Sequence, residues 1–209
     1  PEDNLYRIIG VFGDKVKLIK STSVGNKAWD INDSSTWSTS SLNTYLNNNF
    51  LNAFDETTKG KIADTTWKVG GNTYSKIRDV VPSVAYQNEV VSPVTTNTTD
   101  NATDYSAKVG LMYASDYGFA AASSAWTSTL YDYDGAAIKS ANWMYLGSYE
   151  WTISRNADLS GDVFFVYDTG RVNRNGVDHY YAVRPVFYLT SFVNYASGSG
   201  TVVDPILIN

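Results

Sequence analysis

Cysteine is absent from the 209 residues, which excludes disulfides, thiolate zinc sites and cysteine nucleophiles. That absence leaves the compartment open, because many exported bacterial chains also lack the residue. Histidine occurs once, as His179, so a triad base would have to be that ring, and no GxSxG elbow accompanies it. Glutamate occurs four times, at Glu2, Glu56, Glu89 and Glu150, which is a thin supply for a pair of carboxylates across a glycosidase cleft. Glu150, between Tyr149 and Trp151, reads as the partner of an arginine such as Arg155 or Arg184. Charged residues make up 18% of the chain, the net charge is −5, and Lys and Arg are scattered. Nucleic acid is therefore excluded as a partner, since its affinity needs clustered cations. No run approaches the roughly 18 apolar residues of a membrane span. No signal peptide is present either, and a chain beginning at Pro1 is expected to have lost an export or anchoring segment, its only link to a membrane.

Other motifs fall short of their templates. Asp158, Ser160 and Asp162 have the spacing that opens a calcium loop, but the sixth and twelfth positions are Val163 and Thr169 where Gly and Glu are required. Gly70-Gly71 and Gly198-Ser199-Gly200 lack the Lys and the strand–helix setting of a phosphate loop. Asn97-Thr98-Thr99 and Asn101-Ala102-Thr103 match glycosylation acceptors, tripeptides that are frequent in any Asn/Thr-rich chain. No cofactor is implied.

What the chain does have is about sixty Asn, Ser and Thr residues, a 14% aromatic content and a 43% apolar fraction. That mixture suits a β-rich surface that is half wet. Leu5–Phe12 and Lys15–Ile19 read as a hairpin turned at Gly13-Asp14. Trp29–Trp37 reads as a loop. A helix is predicted from Ser40 or Ser41, with Leu42, Leu46, Phe50 and Phe54 on one stripe, and a second from Asp55 to Ala63. Val90–Tyr105 reads as a loop and Lys108–Ala114 as a strand. Later strands are predicted at Tyr149–Ile153, Val163–Val166 and Val183–Leu189, and a last one, Val203–Ile208, is expected to pair with the first. The 209 residues then form one α+β domain of mixed and antiparallel sheets, with two helices and a long irregular insertion.

Between the late strands lie segments of Tyr, Arg, Asn, Asp, His and Gly, the residue types of binding loops. Tyr offers large, stiff contact area, and Arg and Tyr are frequent anchors of interfaces. The candidate ligand-binding residues are Trp126, Tyr131 and Tyr133 from the insertion, with Ala157, Asp158, Tyr167, Asp168, Arg171, Asn173, Arg174, Asn175, Asp178, His179 and Tyr180 from the late segments. Trp143 and Trp151 are assigned to the core.

Six segments carry a family resemblance: NLYRIIGVFGDKVKLIK at Asn4–Lys20, WSTSSLNTYLN at Trp37–Asn47, KVGLMYASDYGFA at Lys108–Ala120, WTISRN at Trp151–Asn156, AVRPVFYL at Ala182–Leu189 and SGSGTVVDP at Ser197–Pro205. In this order they resemble bacterial surface domains of the C-type lectin fold, related distantly to the formylglycine-generating-enzyme branch and often attached to pilin-like N-termini. The resemblance implies paired terminal strands, two helices and a ligand face built by the late strands and loops. The enzymatic branch works through cysteines, which this chain lacks, and the EPN- and WND-like motifs of calcium-dependent sugar binding are absent too. The fold also resembles the variable proteins of diversity-generating retroelements. There, altered Asn codons yield residues of the kinds found at Ala157, Asp158, Tyr167, Asp168, Asn173, Arg174, Asn175, Asp178, His179 and Tyr180.

The resulting expectation is a non-enzymatic, extracellular binding domain of adhesin or receptor type, at a cell surface or pilus tip, that recognises protein or glycan. The alternatives are a structural pilin or surface-layer subunit, and a carbohydrate-active enzyme using Glu150 or Asp132/Asp134.

Overall fold

Turn chemistry sets the first element. Gly13 sits at φ 63°, a left-handed conformation that glycine adopts without strain, and it joins β1 (Tyr6–Phe12) to β2 (Lys15–Lys20) as the sequence predicts. The computed structural model describes residues 5–94 and 102–209. β2 pairs next with β11 (Val186–Tyr188), and β11 with β6 (Val109–Gly110), giving an antiparallel sheet of order β1-β2-β11-β6. A five-stranded sheet has the order β3-β10-β7-β8-β9, built from β3 (Asn26–Ala28), β7 (Glu150–Arg155), β8 (Asp162–Val166), β9 (Val172–Gly176) and β10 (Tyr180–Ala182). Only its β10–β7 pair is parallel. Two ribbons complete the β structure: β4 (Thr65–Lys68) with β5 (Asp104–Ala107), and β12 (Tyr195–Ser197) with β13 (Leu207–Ile208).

The predicted first helix forms, and Ser40 is its cap, accepting from the Asn43 amide at 3.1 Å. It runs through α1 (Ser41–Thr44) into a π-helical turn, Tyr45–Phe50, with Leu42, Leu46 and Phe50 buried. Asn47 shows why an Asn-rich helix holds here: its side chain donates to Val109 O at 2.9 Å and accepts from Val109 N at 3.0 Å, closing the free edge of β6. α2 (Glu56–Lys61) also forms, capped by Asp55. The region expected to be irregular contains four further short helices, α3 (Tyr74–Ile77), α4 (Pro82–Tyr86), α5 (Ala114–Phe119) and α6 (Ala136–Ser140).

Three strand expectations are corrected. The last strand pairs with β12 in a separate two-stranded ribbon rather than with β1, which stays an edge strand paired only with β2. Lys108–Ala114 contributes only the two residues of β6 before the chain turns into α5. Asn173, Arg174 and Asn175, read as a loop, lie within β9. Of the loop expected at Val90–Tyr105, residues 95–101, with the Asn97 and Asn101 acceptors, lie outside the described residues; Val90 and Val91 instead close a π-helical turn, Gln87–Val91, and Asp104–Tyr105 are in β5.

The two main sheets meet where the chain crosses from one to the other. Val183–Pro185 runs beside Ser21–Gly25, held by Lys20 N to Pro185 O at 3.0 Å and Val24 N to Val183 O at 2.9 Å. Arg184, 3% exposed, grips Glu150 at this corner with Nε to Oε1 at 2.6 Å and Nη2 to Oε2 at 2.8 Å, while Nη2 also reaches Met144 O. The buried core includes Trp29, Trp37, Trp67, Trp151 and Tyr117, with Phe164 and Phe165, adjacent on β8, packed on opposite faces of the five-stranded sheet. Gly71, at φ 63°, explains one unassigned glycine: a Cβ there would come within 2.0 Å of Arg155 O, so this residue lets β7 and the 70–72 segment touch.

Two predictions follow from the buried charges. Arg184→Ala strands the Glu150 carboxylate and should cost about 3–5 kcal/mol, whereas replacing both partners with Met and Leu should cost less; urea melts of the single and double variants check this. Glu89 is buried with Oε1 accepting from Ser115 N at 2.7 Å, and burial lifts its pKa from 4.5 to about 7. Between those two pH values the folded state holds a proton that the unfolded state releases, so stability falls as pH rises. The stability difference between wild type and Glu89→Gln should therefore shift by roughly 3 kcal/mol between pH 4.5 and 7 and stay level above pH 7. A difference that ignores pH would mean the carboxyl is ionised throughout.

Candidate functional site

The five-stranded sheet carries most of the candidate residues, at and beyond its β9 edge and along β10. Strand spacing places these two strands about 14 Å apart, across β7 and β8. One face between them is a continuous aromatic layer. Tyr181 lies over Trp151 and Phe165 with centroids at 4.4 and 4.8 Å, and Tyr149 meets Tyr167 at 4.7 Å and Tyr181 at 5.1 Å. Tyr181 reaches across the sheet so that its hydroxyl accepts from Asn175 Nδ2. Hydrogen bonding to Tyr167 raises the Tyr149 pKa, and burial raises that of Tyr181, so both hydroxyls keep their protons.

Beside β9 runs an alternating row of rings and guanidinium groups. Arg174 lies 5.1 Å from the Tyr74 ring, Arg78 4.5 Å from Tyr74 and 3.6 Å from Tyr131, and Arg171 5.3 Å from Tyr131 and 4.9 Å from Tyr167. All six side chains are half-buried. Hydrogen bonds fix the row: Tyr74 OH donates to Asn173 Oδ1 at 3.0 Å, Arg171 Nη1 to Tyr131 OH at 3.3 Å, and Arg174 pairs with Asp162. Arg78 reaches the Tyr74 hydroxyl and lies 3.4 Å from Asp79. The positive charge of the row is thus largely answered by carboxylates, and what it presents is an ordered amphipathic rim.

β9 itself closes its outward edge. Its flanking bonds, Tyr167 N to Arg171 O and Val177 N to Gly161 O, turn the amides of Asn173 and Asn175 toward β8 and those of Arg174 and Gly176 outward. Arg174 N donates to Asn173 Oδ1 at 2.9 Å and Gly176 N to Asn175 Oδ1 at 3.0 Å. A strand edge so capped does not offer its N–H groups to a further strand. Contacts at this edge must come from side chains.

Of the fourteen candidates, Tyr131, Tyr167, Arg171, Asn173, Arg174 and Asn175 are brought together in this rim. Asp158, exposed, accepts from Tyr74 N at 2.8 Å and anchors its start, and Asp168 is exposed on the β8–β9 turn. Asp178, His179 and Tyr180 are exposed around the β9–β10 turn, with His179 Nδ1 3.1 Å from Asp178 Oδ1. Tyr180, 66% exposed, faces a groove of about 240 Å³ shared with Tyr45, Lys27 and Asn26. Trp126 is exposed and stacks edge-on with Phe119 at 5.4 Å, contacts separate from the rim. Two candidates are corrected. Tyr133 is fully buried, its hydroxyl donating toward Gly118 O and Ala125 O, because the 3₁₀ turn Leu130–Asp134 rotates it inward. Ala157 is fully buried, its amide bonded to Asn72 O at 2.8 Å. Trp151 lies in the core as expected, whereas Trp143 is half-buried beneath the Arg7 guanidinium.

Sequence reading missed Tyr74, Arg78, Tyr149 and Tyr181. The i,i+4 spacing of Tyr74 and Arg78 is the one signal that could have flagged that pair. Glu150 is spent on Arg184, as expected, and Asp132 accepts from Thr129 Oγ1. Among the described residues no group of three His, Cys, Asp or Glu could hold a metal ion, and no helix is long and apolar enough to cross a membrane.

The architecture is thus α+β, with a four-stranded and a five-stranded sheet joined at one corner and a polar–aromatic rim on the larger sheet. Residues 13–191 match the family model described as Domain of unknown function (DUF6273), and the chain belongs to that family. No curated protein and no solved structure matches it.

Exposure separates the tyrosines. Tyr133→Ala should cost about 3–5 kcal/mol of stability, and Tyr180→Ala no more than about 0.5 kcal/mol. Thermal melts of the two variants check this assignment.

Proposed function

We propose that this domain is a non-enzymatic ligand-binding module of C-type lectin-like architecture that recognises a protein or glycan at a cell surface or pilus. The observation that carries the reading is the half-exposed row Arg174–Tyr74–Arg78–Tyr131–Arg171–Tyr167, each group held by its neighbours. Side chains already fixed in place lose little freedom on binding, so their contact area converts efficiently into affinity. Exposed Asp178, His179 and Tyr180 extend the rim toward the Tyr45 groove, which has room for a sugar ring or one side chain. The commitment of Glu150 to Arg184 supports a binding role over an acid–base one. Diversification by a retroelement would vary the exposed positions of this rim and spare buried Ala157.

A second reading, a structural surface subunit, is favoured by a different feature. Beyond residue 191, where the family match ends, the β12–β13 ribbon and its flanks expose Phe192 at 86% and Val203 at 94%.

The test is binding of the purified domain to glycan and protein arrays, followed by affinity measurement for Arg171→Ala and Tyr180→Ala. Each should weaken binding at least tenfold with the melting temperature held within a few degrees, as anchor residues do. Binding indifferent to both changes would sink the rim as the site. Concentration-dependent assembly abolished by Phe192→Ser, with no array ligand, would establish the second reading.

A further inference from the structure

The sheet edges of this molecule are treated unequally. Asparagine side chains close the outer edges of β6 and β9. β1, a strand of seven residues, pairs with β2 alone. Its alternation can be read from β2. Lys20 N donates to Pro185 O and Val16 O accepts from Leu189 N, so both residues spend their backbone groups on the β11 side. Their register partners Tyr6 and Val11 therefore turn N–H and C=O outward, and Ile8, opposite Leu18, does the same. No described residue bonds those groups. The edge carries no Lys or Pro, one bulge between Ile8 and Gly10 interrupts it, and Ile8 and Val11 are 53% and 68% exposed.

What lies beside the edge narrows what it can take. Arg7 and Phe12 pair with Ile19 and Lys15, so they share the sheet face that carries Lys17. On that face Ile9 and Phe12 form one wall of a cavity of about 370 Å³, with Tyr86, Phe119 and Trp143 around it and Asp116 also lining it. The Asp116 carboxylate is already answered by Lys17. Arg7 donates to Trp143 O at 2.9 Å and has no carboxylate partner among the described residues. Partial burial and nearby Arg184, also positive, pull its pKa down. The face beside β1 thus offers an apolar hole and, next to it, an unanswered positive charge.

We propose that β1 is a strand-addition site: an extended segment of another protein pairs with its open edge, places a large apolar side chain in the cavity and sets a carboxylate against Arg7. Side chains on one face of a strand recur at every second residue, so the segment carries the apolar residue and an Asp or Glu two positions apart. Main-chain bonds to Tyr6, Ile8 and Val11 supply affinity, and the two side chains supply choice. A second copy of this chain is a poor occupant edge to edge, because its β1 brings another Arg7 and no carboxylate. The site belongs to the four-stranded sheet and is separate from the rim.

The experiment is an amide NMR titration of the whole domain with the end-blocked peptide Thr-Val-Phe-Thr-Glu-Val-Thr and with its counterpart carrying Lys in place of Glu. The Tyr6, Ile8 and Val11 amides should shift and become protected from exchange. The Lys peptide should bind about fivefold more weakly, and Arg7→Glu should reverse that preference. Val11→Pro removes an outward N–H but no ladder bond, so it should weaken binding about tenfold while the melting temperature holds. Unmoved β1 amides at millimolar peptide, indifference to the charge of the peptide, or dimerisation through β1 in its absence would each overturn the proposal and leave the rim reading intact.

Discussion

The Glu150–Arg184 pair is the constraint on which the two sheets depend. β10 leaves the five-stranded sheet at Ala182 and β11 enters the four-stranded one at Val186, so three residues must turn the chain between layers. Arg184 stands in the middle of that turn and reaches back to Glu150 at the start of β7, directly beside Ala182 in the parallel register. With both carboxylate oxygens engaged and Met144 O also satisfied, the pair fixes where the sheets separate. A hydrophobic corner would match it in stability but would leave that geometry less defined, which is the use buried ion pairs serve best. The aromatic layer above β7 and β8 begins beside this corner: Tyr149 and Tyr181, each one residue before the Glu150–Ala182 pair, meet at 5.1 Å.

The same economy governs the sheet edges. The outer edges of β6 and β9 are closed by asparagine side chains rather than by strands. Asn47 takes both backbone groups of Val109, and Asn173 and Asn175 each cover the amide that follows. Asparagine is poor in helix and strand by propensity because its short amide competes for backbone bonds. At an edge that competition is an advantage: it protects N–H groups that would otherwise pair with another chain. The high asparagine content thus serves the fold as much as any ligand.

How much was legible follows from the range of the interactions. The first hairpin and the Leu42–Leu46–Phe50 stripe depend on turn chemistry and local period, and both were readable. β9 was not, because Asn-Arg-Asn carries no β signal and forms a strand through pairing with Phe164 and Phe165. Tyr133 and Tyr131 differ by two positions in one 3₁₀ turn, and only the tertiary packing of that turn decides which is core. The last strand pairs locally instead, with β12 about ten residues earlier in the chain, and leaves the outer edge of β1 unpaired. The rim was half legible. Its β8–β9 members stood out by composition, but Tyr74 and Arg78 arrive from a helix about a hundred residues earlier in the chain.

That long-range assembly bears on what the rim can do. A loop of Tyr, Asn and Arg in isolation would sample many rotamers, and ordering each side chain on binding costs about 0.5–1.5 kcal/mol. Here α3 and the Leu130–Asp134 turn brace β9 from outside, and each guanidinium is set against a ring before any ligand arrives. Substitution at an outer position such as Tyr180 changes the surface without loosening this frame, whereas substitution within the row disturbs two neighbours at once. A rim built this way keeps its exposed, replaceable positions and its supporting positions on different residues.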